Sequence, residues 1–185
     1  MKLKTKEITL VSLFVALITI GSKITIPSPI VPFTLQWLFV ALSGMLLGPK
    51  LGSLSMAVYT VLGLIGLPVF TKGGGIGYIV SPTFGYIIGF IVASYIIGKS
   101  VERLKGKYNF FNVLFAITLG LVAVYGIGVS YMYLILNFYV GSSITLTNAL
   151  WSGAIIFIPT DLFSAVLCSF LGVRINSQVK AIIDN

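Results

Sequence analysis

The chain has 185 residues, of which 57% are hydrophobic and only 9% charged, and its mean hydropathy is +1.08. A soluble domain carries about 25% charged residues to keep its surface wet. These figures exclude a water-soluble fold, and they exclude disorder too.

The net charge is +8, from 12 basic and 4 acidic residues. In a soluble protein this balance would suggest nucleic acid. Here the basic residues lie between long apolar runs, so they read as topology signals and anionic-lipid contacts, and no nucleic-acid partner is expected. The absence of His removes the commonest general base and metal ligand. Cys168 is the sole cysteine, which excludes an intramolecular disulfide and a cysteine cluster for zinc. No metal or cofactor is expected, and Cys168 reads as a packing residue in an apolar run.

A membrane-spanning helix needs about 20 apolar residues. The first span is expected from about Ile8 to Ile26, ending at Pro27 and Pro29. The second runs from about Phe33 to Leu47 and is closed by Gly48-Pro49-Lys50. The third runs from about Leu51 to Pro68, and the very short link makes this pair resemble one long hairpin. A Gly-rich loop follows, and then spans from about Pro82 to Gly98, Phe110 to Leu136 and Asn148 to Gly172. The expected fold is an all-α integral membrane protein with six transmembrane helices in a single domain, residues 1–185.

The charges orient it. With the N-terminus inside, the inner segments hold Lys2, Lys4, Lys6, Lys50, Lys99, Arg103, Lys105, Lys107, Arg174 and Lys180, against Lys72 alone outside. Cytoplasmic loops carry such an excess, so both termini are placed in the cytoplasm. Trp37 and Trp151 fall near outer helix ends, where an aromatic belt is expected. The basic start followed by an apolar run resembles a signal peptide, but Thr25-Ile26-Pro27 is not a small-x-small cleavage site, so the segment reads as retained.

No energy source is encoded. Gly98-Lys99-Ser100 has the ending of a phosphate-binding P-loop, but its first Gly would fall at Ala93, and the site closes a helix instead of opening one. Asp161 is the only acidic residue well inside a span. A carboxylate at a helix centre costs about 2.5–3.5 kcal/mol on insertion scales, so Asp161 must face a partner helix or a polar cavity, where it would bind N–H donors. Pro159 frees a nearby carbonyl as a second acceptor. Lys23 is the only base inside a span. It either snorkels to the interface or points inward, toward Asp161 or an anionic group on a ligand. Gly73, Gly74, Gly75 and Gly77 form either a connector or a lid over an outward-facing pocket. Ser81, Thr83 and Tyr86 supply neutral hydrogen bonds at its mouth. Ser12 and Ala16, at i and i+4, form a small-residue face for another helix, within the bundle or in a partner protein.

Several stretches resemble one family. They are Ile26-Pro27-Ser28-Pro29, then Val31-Pro32-Phe33-Thr34-Leu35-Gln36, the long run from Tyr59 through the glycines to Phe90, and Pro159-Thr160-Asp161-Leu162. Together they are similar to the BioY family, the biotin-binding S components of energy-coupling-factor (ECF) transporters. The resemblance implies the six-helix S-component fold and capture of biotin, or a biotin-like vitamin, from outside a bacterial cell membrane. Delivery would follow by toppling while docked to a transmembrane coupling protein and two cytoplasmic ATPases, so the chain itself would not be an enzyme. Asp161 matches the family's pocket Asp, and Ser12 and Ala16 match its docking motif. Three positions depart from the pattern. Ser164 stands where the family usually has Lys, Ser81 where it often has Asn, and Lys23 where it usually has a neutral Gln. Lys23 would then replace the missing Lys at Ser164 and meet the ligand carboxylate. With these departures, lipoate competes with biotin as the ligand. A stand-alone secondary transporter, proton-coupled through Asp161, is the rival reading from another class. An intramembrane enzyme lacks a nucleophile-and-base set.

Overall fold

The structure, a computed structural model, describes residues 4–27, 30–104 and 108–184, with side chains as far as 174. Lys2, the pair Ser28-Pro29, Lys105 and Lys107 lie outside the described residues, as does the side chain of Lys180. The described fold is all-helical apart from one minimal strand pair. In chain order it comprises α1 (Thr5–Lys23), β1 (Thr25–Ile26), β2 (Phe33–Thr34), α2 (Gln36–Leu64), a 3-10 turn (Ile76–Val80), α3 (Phe84–Arg103), α4 (Phe110–Leu134) with a π-helical extension (Ile135–Val140), α5 (Leu146–Gly153) and α6 (Ile158–Asp184). Five of the helical stretches are long and apolar enough to cross a membrane.

α2 is not one rod. Gly48 has φ 78° and ψ −179°, outside the helical region, and Pro49 follows it. The left-handed φ suits glycine, and Pro49 has no N–H for the preceding turn. The chain reverses here. A Cβ placed on Gly52 would lie 2.8 Å from the Gly44 Cα, whereas that sequence separation spans about 12 Å along a straight helix. The arms 36–47 and 49–64 therefore form a helical hairpin, in agreement with the break expected at Gly48-Pro49-Lys50.

The hairpin is the hub of the bundle. It packs on α3, α1 and α6, while α3 also packs on α4. Lipid gives no hydrophobic drive between helices, so close approach of small residues takes over. A Cβ on Gly44 would meet the Ser94 carbonyl oxygen at 2.5 Å, and one on Gly98 would meet the Pro49 nitrogen at 2.4 Å. Ser43 and Ser94 link the same helices by a buried hydroxyl pair at 3.1 Å.

Two departures from the expected boundaries shape the end of the bundle opposite Gly48. α1 stops at Lys23, before the prolines, because Ile24 is already extended and the chain enters a ladder pairing Thr25 with Thr34 and Ile26 with Phe33. The last apolar run is not continuous either. α5 ends at Gly153, Ala154 has φ −134° and ψ −60°, and a 3-10 turn at Ile155–Phe157 leads into α6. Asp161 therefore lies in the first turn of α6, while remaining near the middle of the apolar run Leu146–Arg174.

Gly44→Ala is expected to destabilise the protein by about 1–3 kcal/mol, because the added methyl meets backbone that cannot rotate away. The thermal midpoint of the purified variant in detergent checks this, and an unchanged midpoint would show that α2 and α3 can separate freely.

Candidate functional site

Three chain irregularities converge on one cavity. The β1–β2 ladder ends at the start of α2 and carries Thr34, Gln36 and Trp37 to the cavity wall. The break at Ala154 carries Phe157 and Asp161 there, and the segment between α2 and α3 adds Thr71 and Tyr78. The cavity encloses about 640 Å³ of atom-free space, part of which is open solvent. Tyr59 of the hairpin, Thr83, Tyr86 and Phe90 near or on α3, and Val124 and Tyr125 of α4 complete most of the lining.

Asp161 is the carboxylate in this wall. Its Oδ2 accepts a hydrogen bond from the Tyr125 hydroxyl at 2.6 Å, a distance typical of charge-assisted O–H···O⁻ bonds. The remaining oxygen capacity of the carboxylate faces a mostly apolar cavity with scattered hydroxyls, suited to a ligand carrying N–H donors. Tyr86 plays a different part. Its hydroxyl donates to the Gly153 carbonyl at 2.7 Å and so fixes the end of α5 against α3.

Two polar atoms in the wall have no partner. The Gln36 side-chain nitrogen and the Trp37 indole nitrogen are buried and unbonded, in residues only 4% and 2% exposed. Trp37 stacks near Phe90, with ring centroids 6.1 Å apart. It is thus a cavity residue and not part of a lipid-facing belt, whereas Trp151 is 60% exposed, as a belt residue would be. Neither Gln36 nor Trp37 stood out as a site residue in the sequence. A Gln at the start of an apolar span was the available signal.

Lys23 is not in this wall. Its Nζ donates to the Phe70 carbonyl at 2.6 Å, so it reaches neither Asp161 nor the place of Ser164. It belongs to a clamp in which the Ser22 hydroxyl and the Tyr59 hydroxyl both donate to the Val69 carbonyl, at 2.7 and 3.1 Å. The reason is positional. α1 ends at Lys23, and its last turn lies against the loop that follows α2. Among the described residues, no basic side chain lines the cavity.

The Gly-rich loop is also placed differently. Gly73 exchanges both backbone hydrogen bonds with Phe70, and the Gly75 N–H donates to the Gly63 carbonyl at 2.7 Å. Gly73 and Gly75 have φ 117° and 111°, which accounts for the residue type. Gly73, Gly74, Gly75 and Gly77 do not line the cavity; they turn the chain so that Tyr78 does. The Tyr78 ring rests on Phe70 at 4.4 Å, and its hydroxyl accepts from Thr83 at 3.2 Å. Ser81 is one step back, with its hydroxyl 2.9 Å from that of Thr83. Ser164 is turned onto its own helix, donating to the Thr160 carbonyl at 3.0 Å, and is not part of the wall. Asp161, Thr83 and Tyr86 are therefore the expected site residues that the fold brings together at the cavity. Ser12 and Ala16 lie far from it along the sequence of α1, exposed beside Leu13 and Ile20.

A BioY family profile matches residues 1–181. The chain belongs to the BioY family. It is 39% identical over 173 residues to the probable biotin transporter BioY of Lysinibacillus sphaericus, covering 92% of this chain and 87% of that protein. It is 38% identical over 171 residues to the biotin transporter BioY of Thermotoga maritima, covering 92% and 95%. Its fold is similar to a crystal structure at 2.1 Å of the S-component for biotin from an ECF-type ABC transporter, with a TM-score of 0.83 and 30% identity over 95% of both chains. BioY membership makes the chain a multi-pass membrane protein of a transporter family, not of an enzyme family.

Tyr86→Phe leaves the Gly153 carbonyl buried without its donor, at an expected cost of about 1–3 kcal/mol. A lowered thermal midpoint in detergent is the expected result. An unchanged midpoint would mean that the Ala154 break holds without this bond.

Proposed function

We propose that the chain is the substrate-binding subunit of an ECF-type vitamin importer and that its ligand is biotin. The observation that carries this reading is the cavity with Asp161 in its wall, in a chain that matches the BioY family over nearly its whole length. A cyclic urea offers two N–H donors close together. Asp161, oriented by Tyr125, supplies acceptor oxygens for them, and the apolar rings of the wall suit the rest of a bicyclic ligand.

The topology follows from the hairpin. Counting its arms separately, with α1, α3, α4 and the α5–α6 run, gives six crossings in one domain with both termini on the same side. Lys4, Lys6, Lys50, Lys99, Arg103 and Arg174 cluster at the end of the bundle that carries Gly48, while Lys23 and Lys72 are at the cavity end. The positive-inside rule then puts the termini in the cytoplasm and the cavity outside, the arrangement for capture from the medium. With no ATPase signature of its own, the chain would act with a transmembrane coupling protein and two ATPases, docking through the exposed Ser12–Ala16 face of α1.

Asp161→Asn is expected to raise the Kd for biotin by about tenfold to a hundredfold, the worth of a charge-assisted hydrogen bond. Calorimetry on the folded variant measures it. Wild-type protein that binds lipoate but not biotin would overturn the biotin assignment and leave the subunit class standing.

Ser12→Leu and Ala16→Leu should each abolish uptake by the full complex while leaving biotin affinity within about twofold, because a Leu holds helices apart without touching the cavity. Loss of binding in both variants would assign this face to internal packing.

A further inference from the structure

The carboxylate of a biotin-like ligand needs a partner, and the described lining of the cavity offers no cation. What it offers is the start of a helix. α2 begins at Gln36, and its N-cap, Leu35, makes no side-chain capping bond. The Leu35 N–H is used, donating to the Ile24 carbonyl at 3.2 Å. The amides of a first helical turn have no intrahelical acceptor, and the macrodipole adds about half a positive charge there. A helix start alone is not a site. Here the two first-turn residues, both more than nine-tenths buried, line the cavity, and their side-chain nitrogens are buried without a hydrogen-bond partner. A buried donor left unbonded costs about 1–3 kcal/mol. Two of them, in consecutive residues that line one cavity, point to an acceptor that arrives with the ligand. The indole N–H can only donate, so that acceptor carries lone pairs and not N–H groups.

We propose that the N-terminal turn of α2, through the Gln36 amide and the Trp37 indole N–H, is the subsite for the ligand carboxylate, so that this chain holds a carboxylate with neutral donors and a helix start instead of a lysine. The inference rests on the biotin reading and assigns the end of the ligand that Asp161 does not take. Ser164 is a short hydroxyl bonded to its own helix, and the charge at Lys23 is engaged by the Phe70 carbonyl, so neither offers the carboxylate a partner.

The test compares biotin with biotinamide, which keeps the ring and loses the charge of the tail. Calorimetry on the purified full-length chain gives the Kd of each for wild type, Gln36→Glu, Gln36→Leu, Trp37→Phe and Lys23→Gln, with the thermal midpoint of each variant as the check on folding. Wild type is expected to prefer biotin by about tenfold, the worth of one charge-assisted bond. Gln36→Glu, nearly isosteric, should lose biotin by a hundredfold or more through like-charge repulsion, while keeping biotinamide within about threefold. Trp37→Phe and Gln36→Leu should each weaken biotin about tenfold and narrow the preference, and Gln36→Leu carries the point if Trp37→Phe does not fold. Lys23→Gln should leave the preference unchanged. Equal losses of both ligands in the Gln36 and Trp37 variants would place these donors on the ring and overturn the proposal. Loss of the preference in Lys23→Gln would overturn it in favour of the lysine. Wild type that binds biotin with unchanged affinity in Gln36→Leu and Trp37→Phe overturns this inference alone, whereas wild type that binds neither ligand overturns the biotin reading along with it.

Discussion

The hydrogen bond from the Tyr86 hydroxyl to the Gly153 carbonyl sits at the point where the last apolar run loses its helical backbone. In lipid an unsatisfied peptide group costs several kcal/mol, so irregular backbone survives at membrane depth only where protein or a cavity covers it. The break at Ala154 meets that condition because Gly153 is packed under Tyr86, Met132 and Val129. Without the break, Asp161 would sit in the body of a continuous helix, with the full cost of a mid-span carboxylate and no helix start beside it. With it, the carboxylate occupies a first turn, accepts from Tyr125, and faces space that a ligand can fill.

The two ends of the bundle are built on different physics. At the Gly48 end, backbone meets backbone through Gly44, Gly52 and Gly98, and the side chains are small. At the other end the side chains are large and aromatic, and they leave a cavity between them. Phe70 links the two styles. It is fully buried, packs on Tyr59 and Tyr78, and its backbone is fastened to α1 through Lys23. The loop after α2 is thus a wall held on several sides, and its glycines serve the turn geometry that holds it.

Much of this architecture was legible in the sequence. Hydropathy located the apolar runs to within a few residues, and Gly48-Pro49-Lys50 marked the hairpin because left-handed backbone and a missing N–H are properties of those residue types themselves. Asp161 was legible as a site residue because a lone carboxylate in an apolar run is too costly to keep without a polar partner or a ligand. Its place in the helix was not, since Gly153-Ala154 carries no breaker stronger than a glycine and the break depends on Tyr86, 67 positions away. Lys23 failed for a related reason. Being the only cation and the only anion of their kind in apolar runs made it and Asp161 an attractive pair, but α1 ends at Lys23 beside a loop carbonyl, which takes its ammonium. Trp37 looked like an interface residue because an aromatic near a span end has the same one-dimensional signature whether it faces lipid or the bundle. The two-residue ladder that turns Gln36 and Trp37 inward is too short to leave any periodicity.

Two helix starts face the same cavity, those of α2 and α6, and the chain uses them differently. At α6 the partial positive charge is taken up internally, because Asp161 stands in the first turn and supplies the compensating anion from the protein itself. At α2 the first-turn side chains, Gln36 and Trp37, are both neutral donors, and their buried nitrogens have no hydrogen-bond partner within bonding geometry. A cavity with one answered and one unanswered positive end is complementary to a molecule with N–H donors at one end and an anionic acceptor at the other. On the proposed subsite, the polarity of the ligand follows from which first turn carries the carboxylate and which carries only N–H groups. A lysine in the wall would make the second end a point charge with a large desolvation cost in an apolar surround. Neutral donors avoid that cost, and they hold the empty cavity without a buried cation in need of a partner.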